Sequence, residues 1–217
     1  PNLNHIYLWT ILDWDVHASW VMVGVSGAFL VSLINILGIK TAARIQLLVT
    51  GMIIIGGLIL LMGASKAGQI SNLSPFFQNQ TQGFLSVLIM VPFMFVGFDV
   101  IPQAAEELNI SFKKIGHTII LSILMAITWY ILIILAISLS LNYQFLSSSK
   151  LPTADAAMVL FDSRLMGNLL VMAGIGGLLT SWNAFLIGGS RAIYAMAVAG
   201  QLPSFLSHLH PKYNTPY

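Results

Sequence analysis

An all-α membrane protein is the fold class that this sequence predicts, and three observations carry that reading. Charged residues make up 7% of the 217-residue chain and the hydrophobic set reaches 57%, whereas an ordinary soluble domain is about 25% charged. The apolar residues gather into runs long enough to cross about 30 Å of hydrocarbon, which takes roughly 20 helical residues. Those runs do not alternate with period two, so they read as helices rather than as strands of a barrel. A surface this poor in charge excludes a water-soluble enzyme. The lysines and arginines number nine and are scattered, which excludes a nucleic-acid binder. Cysteine is absent, so no disulfide framework, thiolate metal site or nucleophilic thiol can form.

Five stretches meet the length requirement, at residues 18–38, 42–64, 84–108, 115–140 and 167–190. The chain opens at Pro1 without a signal peptide and stops after the turn-like run from His210 to Pro216, so it reads as a fragment of a single transmembrane domain. The first stretch carries Gly24, Ala28 and Ser32 at four-residue spacing, a strip on which another helix can lie close. The second has Gly51, Gly56 and Gly57, and the fifth has Gly174, Gly176, Gly177, Gly188 and Gly189. These read first as packing positions and second as surfaces on which helices slide. Residues 63–82 and 142–164 are polar and read as loops. Lys40, Arg44, Lys113 and Lys114 lie in connections on one side, with Arg191 and Lys212 after the last span. The other side holds only Lys66, Lys150 and Arg164. Positive charge accumulates on cytoplasmic loops, so a cell-membrane protein with this segment's N-terminus outside and its C-terminus cytoplasmic is expected.

The third stretch is interrupted. It contains Pro92, Gly97, Asp99 and Pro102. A proline inside a helix removes a donor and clashes with the carbonyl four residues back, at about 3 kcal/mol or more. Glycine adds about 1 kcal/mol relative to alanine. Non-helical backbone is tolerated at membrane depth only against protein or a water-filled cavity. The sequence therefore predicts a discontinuous helix, with an outer half over about 84–94, an unwound stretch at Phe95–Phe98 and an inner half from Asp99. The outer half would end on open carbonyls of Phe93, Met94 and Phe95, suited to an ammonium group or a cation. The inner half would begin with open amides at the positive end of a helix dipole, suited to an anion. Together they fit a zwitterion, and secondary transporters bind substrate at such breaks. Asp99 admits two compatible roles, an N-cap for the inner half or the titratable, substrate-sensing carboxylate expected of an acid in a membrane. Phe93 is a candidate lid, while Phe95 and Phe98 flank the bend and could equally be packing residues. Glu106 and Glu107 fall near Lys113 and Lys114, as an interfacial charge cluster or an inner-gate ion pair.

The run Phe95-Val96-Gly97-Phe98-Asp99, followed by Ala104-Ala105-Glu106-Glu107-Leu108-Asn109, resembles the sixth transmembrane helix of amino-acid permeases of the amino acid–polyamine–organocation superfamily. Ser190-Arg191-Ala192-Ile193-Tyr194-Ala195-Met196, then Gly200-Gln201-Leu202-Pro203 and His210-Pro211-Lys212, is similar to the end of their eighth helix and the loop beyond. Residues 35–46, from Asn35-Ile36-Leu37-Gly38 to Arg44-Ile45-Gln46, are similar to the join of helices four and five. The resemblance implies helices four to eight of a fold of two inverted five-helix repeats, without the first helix that supplies half of the substrate site. It implies that Phe93 is the aromatic lid and that Val96 and Gly97 form the unwound bend. Asp99 then matches an acidic residue that some members couple to protons. Ile53 stands where some proton-driven members have a lysine that replaces a sodium ion, which speaks against that mechanism here. Thr180 and Ser181 match hydroxyls that bind sodium in relatives of the wider fold, a candidate cation site. Hydroxyls in an apolar helix ordinarily bond their own backbone, however. Asn109-Ile110-Ser111 stands where many members have Asn-Pro.

The expected function is transport of an amino acid or related amine by alternating access, with H+ or Na+ as candidate coupling ion and the lipid bilayer as surroundings. The alternatives are a membrane amino-acid sensor of the same fold and an intramembrane enzyme. The enzyme would need a second buried acid or histidine beside Asp99, and the sequence has none. No cofactor, metal site or catalytic group is expected, since His208 and His210 have no further ligand nearby. Asn72-Leu73-Ser74 and Asn79-Gln80-Thr81 fit glycosylation sequons, and so does Asn109-Ile110-Ser111 on the opposite side, as chance matches would.

Asparagine caps a helix within a few tenths of a kcal/mol of aspartate but cannot titrate. In proteoliposomes of the whole protein, Asp99→Asn is expected to preserve insertion and substrate exchange while flattening the pH dependence of uptake. Unchanged pH-dependent uptake would leave Asp99 as a cap alone.

Overall fold

The computed structural model describes residues 6–12, 14–36, 39–76, 80–95, 97, 100 and 111–211. Before the first long helix the chain forms an antiparallel ribbon of β1 (Tyr7–Ile11) and β2 (Trp14–His17), an element absent from the all-α expectation. The helices follow as α1 (Ala18–Ile36), α2 (Ile39–Ala67), α3 (Gln80–Met94), α4 (Phe112–Ser140), α5 (Tyr143–Ser148), α6 (Pro152–Phe161) and α7 (Arg164–Val198). Among the described residues four stretches, Ala18–Ile36, Ala42–Ala67, Lys113–Ser140 and Arg164–Val198, are long and apolar enough to cross a membrane. Helix α3 has 15 residues, about 22 Å at 1.5 Å per residue, which is short of a crossing. The remainder of the stretch expected at 84–108 lies largely outside the described residues.

Helix α7 runs on to Val198, past the expected end at 190, because nothing within it interrupts the backbone ladder. It stops where Gly200 takes φ +76°. The amide of Gly200 then donates to Ala197 O at 3.1 Å and that of Gln201 to Met196 O at 2.9 Å. This is a left-handed glycine cap.

Pro1–Ile45 with Ser181–Tyr217 make one compact unit, and Gln46–Thr180 make another. In the first, α1 meets the later half of α7. Trp182 lies over Gly27, where a β-carbon would come 2.8 Å from the indole Cζ3. Of the strip expected at Gly24, Ala28 and Ser32, Gly24 has nothing within 4 Å of an added β-carbon, while Ala28 and Ser32 border a groove with Trp182, Phe185 and Leu186 of α7. A large ring needs the depth of a glycine, and it finds that depth at Gly27. Nearby, Asn35 Nδ2 donates to Asn183 Oδ1 at 2.7 Å and to its own helix at Val31 O, 2.9 Å. A hydrogen bond between side-chain amides of two helices in apolar surroundings contributes about 1 kcal/mol.

The core of the second unit gathers Leu60 and Ala64 of α2, Ala136 and Leu141 at the end of α4, Ala156 and Ala157 of α6, and Leu170 of α7. Helix α6 lies in residues 142–164, which composition marks as a loop, and two capping signals explain the difference. The Asn142 side chain accepts from the amide of Phe145 at 2.9 Å and starts α5. Pro152 opens α6 at a position where its missing N–H costs nothing. Ser149 Oγ then donates to Asp155 in the first turn at 2.5 Å, and buried alanines let the short helix pack closely. At the end of α4, Leu139 O accepts from the amide of Gln69 and from Asn72 Nδ2, both at 2.9 Å. The amide nitrogen that a glycan would take at Asn72 is thus already engaged. Asn79 and Asn109 lie outside the described residues.

Gly57 of α2 receives the indole of Trp129 from α4, whose Cη2 would lie 2.6 Å from an added β-carbon. Gly51, on the same helix, has open space. Gly57→Val is expected to cost about 1–3 kcal/mol through overpacking, read as a lowered unfolding temperature of the detergent-solubilised protein. Gly51→Val should leave it nearly unchanged, and equal effects would contradict the packing described here.

Candidate functional site

Helix α3 ends at Met94 because the residues around it cannot continue a helical ladder. Pro92 lies inside the helix and has no N–H for the carbonyl of Leu88. The chain tightens at this point, and the amide of Phe95 donates to Pro92 O at 3.2 Å. Gly97 then adopts φ +115°, a conformation open to glycine and disfavoured by any β-carbon. Its carbonyl accepts from the amide of Val100 at 3.2 Å. Val96, Phe98 and Asp99, and the inner half expected from Asp99 apart from Val100, lie outside the described residues.

Helix α4 holds this end from the side. The hydroxyl of Tyr130 donates to Met94 O at 2.9 Å. Its ring meets Phe95 edge-on, with centroids 5.7 Å apart. A helix end leaves its last carbonyls without helical partners, and a phenol in an apolar span needs an acceptor. Each supplies what the other lacks. Of the carbonyls expected to stay open for a ligand, that of Met94 is therefore occupied by Tyr130. Phe93 is 78% exposed, its ring standing away from the described side chains, while Phe95 packs on Tyr130.

The amino acid permease family matches this chain over residues 5–217. The chain belongs to that family. Among curated proteins it is 26% identical to the branched-chain amino acid permease BcaP of Bacillus subtilis over 83% of this chain and 39% of the relative. It is 26% identical to the chloroplastic cationic amino acid transporter 9 of Arabidopsis thaliana, over 84% of this chain and 32% of that protein. A methylthioribose transporter of Bacillus subtilis is 26% identical over 83% of this chain and 39% of its own length. The chain thus spans between 32% and 39% of the length of these relatives. The family and these relatives are permeases and transporters, and the apolar helices of this permease segment suit a membrane protein.

The other candidate positions of the permease segment lie on α2 and α7. Ile53 borders an apolar cavity of about 210 Å³ together with Trp129, Ile133, Leu170 and Gly177. Those walls are apolar apart from Thr153 and carry no charge to pair with an amine. The hydroxyl of Thr180 donates to Gly177 O at 2.8 Å, the intrahelical bond usual for a hydroxyl in an apolar helix, and Ser181 follows it in α7. Among the described residues no three acidic or histidine side chains gather as a metal site, and His208 Nδ1 lies 2.9 Å from Phe205 O.

Tyr130 is the residue that sequence reasoning missed. Its signal was a phenol in the middle of an otherwise apolar span, which must find a partner, but the sequence does not say which carbonyl answers. Two substitutions test the arrangement in the whole protein. Gly97→Leu should abolish substrate binding while leaving membrane insertion intact. Tyr130→Phe keeps the ring and loses one hydrogen bond, so substrate affinity should fall about two- to tenfold. Near-normal affinity in Gly97→Leu would sink the assignment of the bend as the binding element.

Proposed function

We propose that the whole protein is a secondary active transporter of an amino acid or related amine in the cell membrane, working by alternating access. Its substrate binds where α3 ends. The observation that carries this reading is the glycine with positive φ just beyond Met94 in a chain of the amino acid permease family. In this account the substrate ammonium meets carbonyls at the end of α3. Its carboxylate meets amides at the start of the inner half. Phe95, Val96, Gly97 and Phe98 line the bend, and Phe93 closes over the ligand. The relatives named for branched-chain and for cationic amino acids differ in side chain and share the α-amino acid group. Recognition of that group by backbone supports the same choice here.

The proposal includes five crossings, at about 18–38, 42–64, 84–108, 115–140 and 167–190, forming the end of one five-helix repeat and the start of an inverted second. The N-terminus of the segment is outside and its C-terminus is cytoplasmic, supported by the distribution of lysine and arginine. Coupling runs through H+ at Asp99 or through Na+ at Thr180 and Ser181. The apolar surroundings of Ile53 support a mechanism without a lysine at that position. The sensor reading has no observation behind it.

The test is uptake by the purified whole protein in vesicles, with labelled amino acids and methylthioribose, with and without sodium and proton gradients. An amino acid should be accumulated against its gradient, and Phe93→Ala should raise its KM about three- to tenfold, the worth of one aromatic contact. Phe84→Ala, at the far end of α3, should change it little. Uptake of methylthioribose alone, or equal effects at Phe93 and Phe84, would contradict the proposal.

A further inference from the structure

The ribbon of β1 and β2 has two unlike faces. Its register pairs Trp9 with Val16, Thr10 with Asp15 and Ile11 with Trp14. Since successive residues of a strand point to opposite faces, Trp9, Ile11 and Val16 share one face, and Thr10 and Asp15 share the other. On the polar face the side chains of Tyr7, Thr10 and Asp15 bond one another. Thr10 Oγ1 donates to Asp15 Oδ1 at 2.7 Å and lies 2.8 Å from the Tyr7 hydroxyl. On the apolar face Trp9 and Ile11 are exposed, and at the tip Leu12 is 90% exposed.

The tip is the anomaly. A two-residue hairpin connection favours asparagine, aspartate or glycine, which tolerate positive φ. Here Leu12 occupies the position with φ +49°, so an apolar side chain is held fully outward in a conformation that leucine disfavours. In water that choice is unfavourable twice over. In hydrocarbon the exposed leucine becomes the favourable part.

The base of the ribbon is fixed to a membrane helix. Strand β2 passes directly into α1, the amide of Ala18 donates to Ile6 O at 2.8 Å, and the His17 ring lies between Tyr7 and Trp20, with centroids 6.3 and 5.1 Å away. Helix α1 has 19 residues, about 28 Å of length, close to the thickness of the hydrocarbon core. The ribbon therefore begins where the hydrocarbon ends, in the layer where tryptophan and tyrosine concentrate.

We propose that the ribbon is an interfacial anchor, lying in the lipid headgroup layer with Trp9, Ile11 and Leu12 turned toward the acyl chains and the Thr10–Asp15 pair toward water. The chain has no cysteine of its own, so single cysteines can carry a spin label once any cysteine elsewhere in the protein is replaced. Labels at Leu12→Cys, Thr10→Cys and, as a reference on α1, Val23→Cys are compared in liposomes of the whole protein. Relaxation by oxygen, which concentrates in lipid, is set against relaxation by a water-soluble nickel chelate. Oxygen should dominate at Leu12 as at Val23, and nickel at Thr10. Ile11→Cys repeats the lipid-side reading without altering the tip. Nickel dominance at Leu12 and Ile11 would place the ribbon in water. Weak relaxation by both reagents there would mean that another part of the protein covers it. Oxygen dominance at Thr10 would remove the two-faced orientation. Any of these three results overturns the proposal.

Discussion

Within hydrocarbon no water is at hand to pair a backbone N–H or C=O, and each unpaired group costs several kcal/mol. In the proposed crossing that constraint acts on the end of α3, and the rest of the candidate site depends on it. Pro92 withdraws a donor from the ladder and Gly97 turns the chain into the left-handed region. The bonds from Phe95 to Pro92, from Val100 to Gly97 and from Tyr130 to Met94 partly repair the loss. A helix interrupted in this way keeps a defined shape while presenting polar backbone among apolar side chains. In the proposed mechanism that combination serves to recognise a zwitterion.

The repair reaches further through neighbouring residues. Trp129 fills the space left by Gly57 and fastens α4 to α2, and the next residue, Tyr130, carries the hydroxyl that meets Met94. A small residue on one helix thus fixes the height of a donor on a second, which in turn stabilises the broken end of a third. The core around Leu60, Ala136, Ala156 and Leu170 joins α4, α6 and the parts of α2 and α7 that belong to this unit.

The features legible in the sequence were those set by composition and by backbone chemistry. Apolar length marks the membrane helices, and Pro92 with Gly97 marks the end of α3, because those residues act through their own dihedral angles and donors wherever they sit. What escaped depended on partners distant in sequence or on signals outweighed by composition. Nothing in the pattern around Tyr130 names Met94 as its acceptor. Gly24, Ala28 and Ser32 have ideal spacing, but the Trp182 ring sits closest over Gly27, and Gly24 meets nothing within 4 Å. Polar residues from 142 to 164 hid the caps at Asn142 and Pro152 that build α5 and α6, and the short ribbon before α1 lies in a stretch too brief for periodicity to register. The roles of Phe93, Phe95, Val96, Gly97, Phe98, Asp99, Thr180 and Ser181 in binding and coupling belong to the proposed mechanism.

Backbone recognition at the end of α3 can be read directly from the backbone. Hydrogen–deuterium exchange of the whole protein in nanodiscs, resolved to the amides of residues 95–100, would compare the ligand-free protein with protein saturated by an amino acid that it carries. The account predicts faster exchange of these amides than of those in α4 when no substrate is present, and marked protection when substrate is bound. Exchange as slow as in α4 without ligand, or exchange that saturating substrate leaves unchanged, would contradict it.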